Sequence, residues 1–168
     1  MRPIAGAVLI ITGAFFISRP VSHGALKVTT PSQVCGFLAE LGLRAGMWKS
    51  QWSENEFGCL CPYRELGAGN PLANNLAYYV DGNASTATQV KLVLNVNDRA
   101  TAKEAHSELL KAAEMLTTKA TGQQLTQPIR EAIQQGKKAS AKLGLSVVEV
   151  MRDDWPTGRG YGVHFIIK

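Results

Sequence analysis

The chain has 168 residues, of which 45% are apolar and 18% charged, and its formal net charge is +5. That length fits about one domain, and the composition excludes disorder, a coiled coil and a collagen-like repeat. The positive balance is too mild to announce a nucleic-acid binder, and three cysteines are too few for a disulfide-dense miniprotein.

The N-terminus reads as an address. Arg2 and the free amine precede an apolar run of 14 residues, Ile4 to Ile17. A bilayer-spanning helix needs ~20 residues, whereas a secretory h-region needs roughly 7–15 behind a basic start. Ser22 and Gly24 place small residues at the third and first positions before Ala25. Residues 1–24 are therefore predicted to be a signal peptide cleaved before Ala25, leaving 25–168 as a single exported domain. The alternative is an uncleaved anchor; Gly6 and Gly13 inside the run, with Arg19 and Lys27 after it, weaken that reading. Losing Arg2 and Arg19 leaves 16 basic against 13 acidic residues, a net +3.

Thr30-Pro31-Ser32-Gln33 predicts a helix start: Thr30 as N-cap, Pro31 at the first helical position, and Gln33 completing a capping box. Val34, Phe37, Leu38 and Leu41 form its apolar stripe. Gly42 stops it, with Leu43 folding back onto Leu38. Met47–Trp52 reads as a strand, Glu54-Asn55 as a turn and Phe57–Tyr63 as a returning strand, on which Phe57, Cys59, Cys61 and Tyr63 share a core face. Residues 64–75 read as a glycine- and asparagine-rich surface loop. Leu76–Val80 is the next strand, followed by turn chemistry at Asp81-Gly82-Asn83. Its partner alternates most clearly, with Val90, Leu92, Leu94 and Val96 on one face and Gln89, Lys91 and Asn95 on the other.

Thr101–Glu104 is a second capping box, opening a long helix that ends near Gly122. Ala102, Ala105, Leu109, Ala112, Ala113, Leu116 and Ala120 make its buried stripe, whose alanines suit close approach to a sheet. Its acids Glu104, Glu108 and Glu114 interleave with Lys103 and Lys111, as on a solvated, ion-paired face. Thr126 caps a short helix through Ile129 and Ile133, closed by Gly136. Leu145–Arg152 and Tyr161–Lys168 form a final hairpin. The expected fold is α+β, in the order α-β-β-β-β-α-α-β-β, with a mainly antiparallel sheet and helices on one face.

In an oxidising compartment the cysteines favour a structural disulfide. From Cys35 to Leu43 a helix rises about 12 Å, at ~1.5 Å per residue. A strand retraces that in about four residues, at ~3.3 Å each. The chain is then near Gln51, across a turn from the region of Cys59. This favours Cys35–Cys59 over Cys35–Cys61 and leaves Cys61 as the free thiol, buried and inert or available for an intermolecular bridge. Redox chemistry is disfavoured because C-x-C on a strand is not the C-x-x-C helix start that lowers a thiol pKa. No metal set and no cofactor motif stands out. No G-x-S-x-G elbow, phosphate loop or H-E-x-x-H occurs. A Cys61–His164 pair is the one catalytic or metal-carrying arrangement left open. Lys137, Lys138 and Lys142 with Arg130 form a basic cluster without adjacent aromatics, a poor nucleic-acid signature. Asn83-Ala84-Ser85 has the form of a glycosylation sequon, relevant only to a eukaryotic secretory route.

Asp153-Asp154-Trp155-Pro156-Thr157-Gly158-Arg159-Gly160 is longer than a tight hairpin needs. Trp and Arg dominate many interfaces, and a hairpin is a firm support for a binding loop. The local alternative is a plug, with Asp153 or Asp154 paired to Arg159 and Trp155 folded onto the sheet. The favoured expectation is a small exported binding protein, such as an inhibitor, an immunity protein or an accessory envelope component. Asp153, Asp154, Trp155, Arg159 and Tyr161 would meet another protein. Neither nucleic acid nor, after leader cleavage, a membrane is an expected partner. The runner-up is an envelope hydrolase or thiol-dependent enzyme, or a metal or ligand carrier, using Cys61 and His164.

Overall fold

Strand alternation divides the molecule into a covered and an uncovered side. A computed structural model describes residues 25–51, 55–69 and 72–168. The predicted leader (residues 1–24) and the turn residue Glu54 lie outside the described residues. Eight strands form one antiparallel sheet: β1 (Lys49–Ser50), β2 (Phe57–Leu60), β3 (Arg64–Leu66), β4 (Asn74–Gly82), β5 (Ala87–Val96), β6 (Ala139–Leu143), β7 (Ser146–Asp154) and β8 (Tyr161–Ile167). The helices are α1 (Pro31–Cys35), α2 (Ala102–Thr121) and α3 (Gln127–Gln135). The strand order is β1-β2-β4-β5-β8-β7-β6, with β3 also paired to β4. This is the α+β architecture expected.

In β5, Val90, Leu92, Leu94 and Val96 are fully buried, while Gln89, Lys91 and Asn95 are half-buried. Register carries that face across the sheet: Tyr78 pairs with Leu92, Leu92 with Phe165, and Phe165 with Val150. α2 lies over this face. Ala105, Leu109, Ala112, Ala113, Leu116 and Ala120 are buried as predicted, joined by His106 and Thr117, while Ala102 is half-buried. α3 adds Ile129 and Ile133 to the same core. Both helices end on glycines with positive φ, Gly122 and Gly136, as their sequences require.

Four local predictions differ from the structure. The helix expected from Thr30 to Gly42 breaks at Gly36. α1 ends at Cys35, and a separate 3₁₀ turn spans Ala39–Leu41. Glycine is a poor helix interior residue, and the disulfide at Cys35 fixes the chain there. The expected ending survives: Gly42 has φ 74°, and the Leu43 amide donates to the Leu38 carbonyl at 3.1 Å. Neither capping box forms. Thr30 uses its carbonyl, and the Thr101 hydroxyl bonds Asp98, which itself caps the turn before α2. The third difference concerns strands. β1 keeps only Lys49–Ser50, and β2 stops at Leu60, so Tyr63 is exposed rather than on the core face. The predicted loop at 64–75 instead contains β3 and the start of β4, because Arg64 and Leu66 pair with Leu76 and Asn74. Fourth, β6 has no counterpart among the predicted elements. Its sequence, Ala-Ser-Ala-Lys-Leu, lacks apolar alternation because it is an edge strand paired on one side only.

Cys35 and Cys59 are disulfide-bonded, with Cα atoms 6.1 Å apart. Cys61 is a free, buried thiol whose Sγ donates to the Pro62 carbonyl.

Candidate functional site

The segment between β7 and β8 is shorter than the sequence suggested. Asp153 and Asp154 belong to β7, and the Trp155 amide donates to the Gly160 carbonyl at 3.2 Å. The tip is therefore Pro156–Arg159. It is held by a Gly158 amide to Trp155 carbonyl bond of 2.8 Å, with Gly158 at φ 67°. Gly160 allows close packing below it. A Cβ there would lie 2.4 Å from the Val96 carbonyl oxygen and 2.5 Å from the Trp155 ring. The half-buried indole thus rests against Gly160 at the end of β5.

Strand alternation separates the two acids. Asp154 shares a side of β7 with Arg152, whose Nε and Nη2 donate to its carboxylate at 3.0 and 2.6 Å. These hydrogen bonds hold the Asp154 carboxyl below its ordinary range. Asp153 faces the uncovered side of the sheet, opposite Gly162 and near His164. Neither acid pairs with Arg159. Among the described residues Arg159 has no charged partner, and it is exposed at the tip.

Tyr161 stands below the loop rather than on its surface. It is buried, and its hydroxyl lies 2.9 Å from His106 Nε2. His106 Nδ1 lies 2.6 Å from the Ile133 carbonyl. A carbonyl can only accept, so Nδ1 carries the proton and Nε2 accepts from Tyr161. Burial, chiefly, and the Arg152 charge push the His106 pKa down, while carbonyl bonding opposes them. The Arg152 guanidinium lies 3.7 Å from the Tyr161 ring centre and reaches the Gly136 carbonyl; Arg99 approaches the same ring at 5.6 Å. This brace of Arg99, His106, Arg152 and Tyr161 was missing from the sequence reading. One local signal existed: Arg152 and Asp154, two apart on a strand, must share a side.

The other predicted site residues stay apart. Cys61 faces the core from the end of β2, and burial raises its pKa, so the thiolate is disfavoured. His164 lies on the opposite side of β8, between Val93 and Met151. β4 and β5 separate their strands, a spacing of roughly 14 Å at ~4.8 Å per strand. The structure does not assemble a Cys61–His164 pair. Among the described residues no group of three or more His, Cys, Asp or Glu could hold a metal ion. Two of the three helix acids are ion-paired, and to other elements rather than to Lys103 or Lys111: Glu108 to Arg64 and Glu114 to Arg130.

The model of a family of unknown function, DUF6030, matches residues 26–152. The chain belongs to that family. No curated protein and no solved structure matches it. The DUF6030 match ends at Arg152 inside β7, so the last two residues of β7, the loop and β8, which lies between β5 and β7 in the sheet, are beyond it.

Proposed function

We propose that this DUF6030 chain is a small exported protein that binds another protein by surface complementarity, with Trp155 and Arg159 as anchors. The observation that carries the reading is the exposed Arg159 guanidinium, which among the described residues has no carboxylate partner. It projects from a tip whose backbone is internally bonded, although two carboxylates lie within six residues of it. Of the two features of a plug, Trp155 does fold onto the sheet, but among the described residues neither acid pairs with Arg159. Asp154 instead fixes Arg152, and Asp153 remains exposed as an orienting charge. Tyr161 supports the loop from beneath.

Export is supported by the Cys35–Cys59 disulfide, which persists in oxidising compartments. Among the described residues no helix is long and apolar enough to cross a membrane. A periplasmic or extracellular inhibitor, immunity protein or accessory envelope component fits these features.

The test is capture from cell extract by residues 25–168, identified by mass spectrometry. Trp155→Ala with Arg159→Ala is expected to abolish capture, and Arg159→Ala alone to weaken it while leaving Tm unchanged. Capture unaffected by either variant overturns the proposal. So does a double variant whose main effect is a lower Tm with capture retained.

A further inference from the structure

We propose that a bowl on the uncovered face of the sheet, walled by Gln51, Asp81, Gln89 and Lys91, binds a neutral saccharide. The site is separate from the loop and does not rest on the protein-binding reading. It lies at the Gln89 end of β5, whereas Gly160 packs against Val96. Those two residues of β5 are seven apart, roughly 23 Å at ~3.3 Å per residue.

The register of β2, β4 and β5 builds the bowl. Asp81 stands between Gly58 and Gln89, and Tyr79 between Leu60 and Lys91. Strand alternation puts these residues on the side opposite the buried Cys59, Val80 and Val90. Gln51 reaches in from just beyond β1. Together with Glu56 and Phe57 they enclose a cavity of about 460 Å³, within the range of small-ligand sites. Its floor is bare backbone at Gly58. A Cβ there would stand 2.6 Å from the Val80 carbonyl oxygen, 3.4 Å from Gln51 Cγ and 3.5 Å from Asp81 Oδ1. Any other residue would therefore crowd the space between Gln51 and Asp81.

The polar walls are fixed before a ligand arrives. Gln51 Nε2 donates to the Gly58 carbonyl at 3.0 Å, and Gln89 Nε2 donates to Asp81 Oδ2 at 3.1 Å. The Lys91 ammonium sits over the Tyr79 ring, 5.0 Å from its centre. All four polar side chains are half-buried. Each contact uses one group and leaves others for a ligand: an amide oxygen and a second N–H on each glutamine, Oδ1 of Asp81, and the Lys91 donors. Side chains already held in place lose less freedom on binding.

That mixture of groups selects the ligand. Donors and acceptors line one cavity, and a hydroxyl is the group that satisfies both. An anion would meet Asp81 and Glu56, and a cation would meet Lys91. An apolar molecule would leave the amides without partners, which is costly. A nucleobase needs an open aromatic face, and the Tyr79 ring already carries the Lys91 ammonium. A sugar ring brings hydroxyls to the polar walls and its C–H groups to Phe57, Leu60 and Tyr79.

The test uses isotope-labelled protein purified in mature form from an exporting host. Diacetylchitobiose, cellobiose and maltose are titrated to millimolar concentration and read by amide chemical shifts. At least one is expected to move the Gly58, Asp81 and Gln89 amides saturably while Gly158 and Arg159 stay still. Gln89→Leu and Lys91→Met are each expected to weaken that binding about tenfold with an unchanged Tm, the effect of one lost hydrogen bond to the ligand. Should one variant unfold, the other decides. Inorganic phosphate, spermidine and adenosine are the rival probes. The proposal is overturned if none of the three saccharides moves these amides. Tighter binding of a rival probe than of any saccharide also overturns it, as does sugar binding that folded variants leave at the wild-type level.

Discussion

Reduction of the Cys35–Cys59 bond is expected to be the largest single perturbation of this fold short of a core truncation. α1 has five residues, far below the length at which an isolated helix is stable. It is also held by a Tyr78 hydroxyl bond to the Val34 carbonyl at 2.8 Å and by burial of Val34 in the core, and just beyond it Lys119 bonds the Phe37 carbonyl at 2.7 Å. The disulfide spans a sequence separation of 24. On the chain-entropy account, closing such a loop stabilises the folded state by about 3.5 kcal/mol. For a chain of this size each kcal/mol corresponds to roughly 2–4 °C in Tm, so reduction should lower Tm by about 7–14 °C. Calorimetry with and without a phosphine reductant measures that shift. Thiol titration in guanidinium identifies the sulfurs: the unreduced protein should show a single thiol, absent from Cys61→Ala. Because burial keeps Cys61 protonated, the native protein should alkylate slowly and the denatured protein fast. The reasoning is refuted if the unreduced, denatured chain titrates three thiols, or if reduction moves Tm by less than about 2 °C.

Gly160→Ala should cost about 1–3 kcal/mol, because its Cβ would meet the Val96 carbonyl and the Trp155 ring at once; urea unfolding with indole fluorescence would show both the loss and the displaced ring, and a wild-type midpoint would contradict the packing. Asn74→Ala should cost about 2–4 kcal/mol, since it removes the acceptor of two amides and leaves them unpaired. Asn74 Oδ1 accepts from Asn97 at 2.7 Å and from Asp98 at 2.8 Å, and its Nδ2 donates to Asp98 and Thr101. Equilibrium unfolding checks it, with Asn95→Ala, at a half-buried position, as the milder control. Burial depresses both His106 and His164, aided by the charges of Arg152 and Lys91 respectively. Their neutral forms therefore add stability that is complete above about pH 6.5 and is lost as pH falls through that value toward the folded pKa. Urea midpoints should drop between about pH 7 and about pH 5, and His106→Gln should flatten part of the slope; an unchanged slope in both His106→Gln and His164→Gln would count against the assignment.

Short-range patterns in the sequence settled much of the fold. Alternation at Val90, Leu92, Leu94 and Val96 identified the covered face, because a strand repeats every two residues whatever lies beside it. Gly122 and Gly136 marked the real ends of α2 and α3, and Gly42 the end of a 3₁₀ turn rather than of the helix expected there, because a left-handed cap favours a residue without a side chain. The expected pair, Cys35 with Cys59, is the one that forms, but not by the route argued: the helix that was to rise from Cys35 to Leu43 ends at Cys35. What tertiary structure decided was long-range. β6 is a strand only because β7 offers it an edge, so its own residues carry no signal. The brace of Arg99, His106, Arg152 and Tyr161 joins positions far apart in the chain, and no local spacing reveals such a meeting. Asp153 and Asp154, read together as one acidic pair, fall on opposite sides because the strand continues through them. Sequence periodicity specifies which way a side chain points; only the folded sheet specifies what it points at.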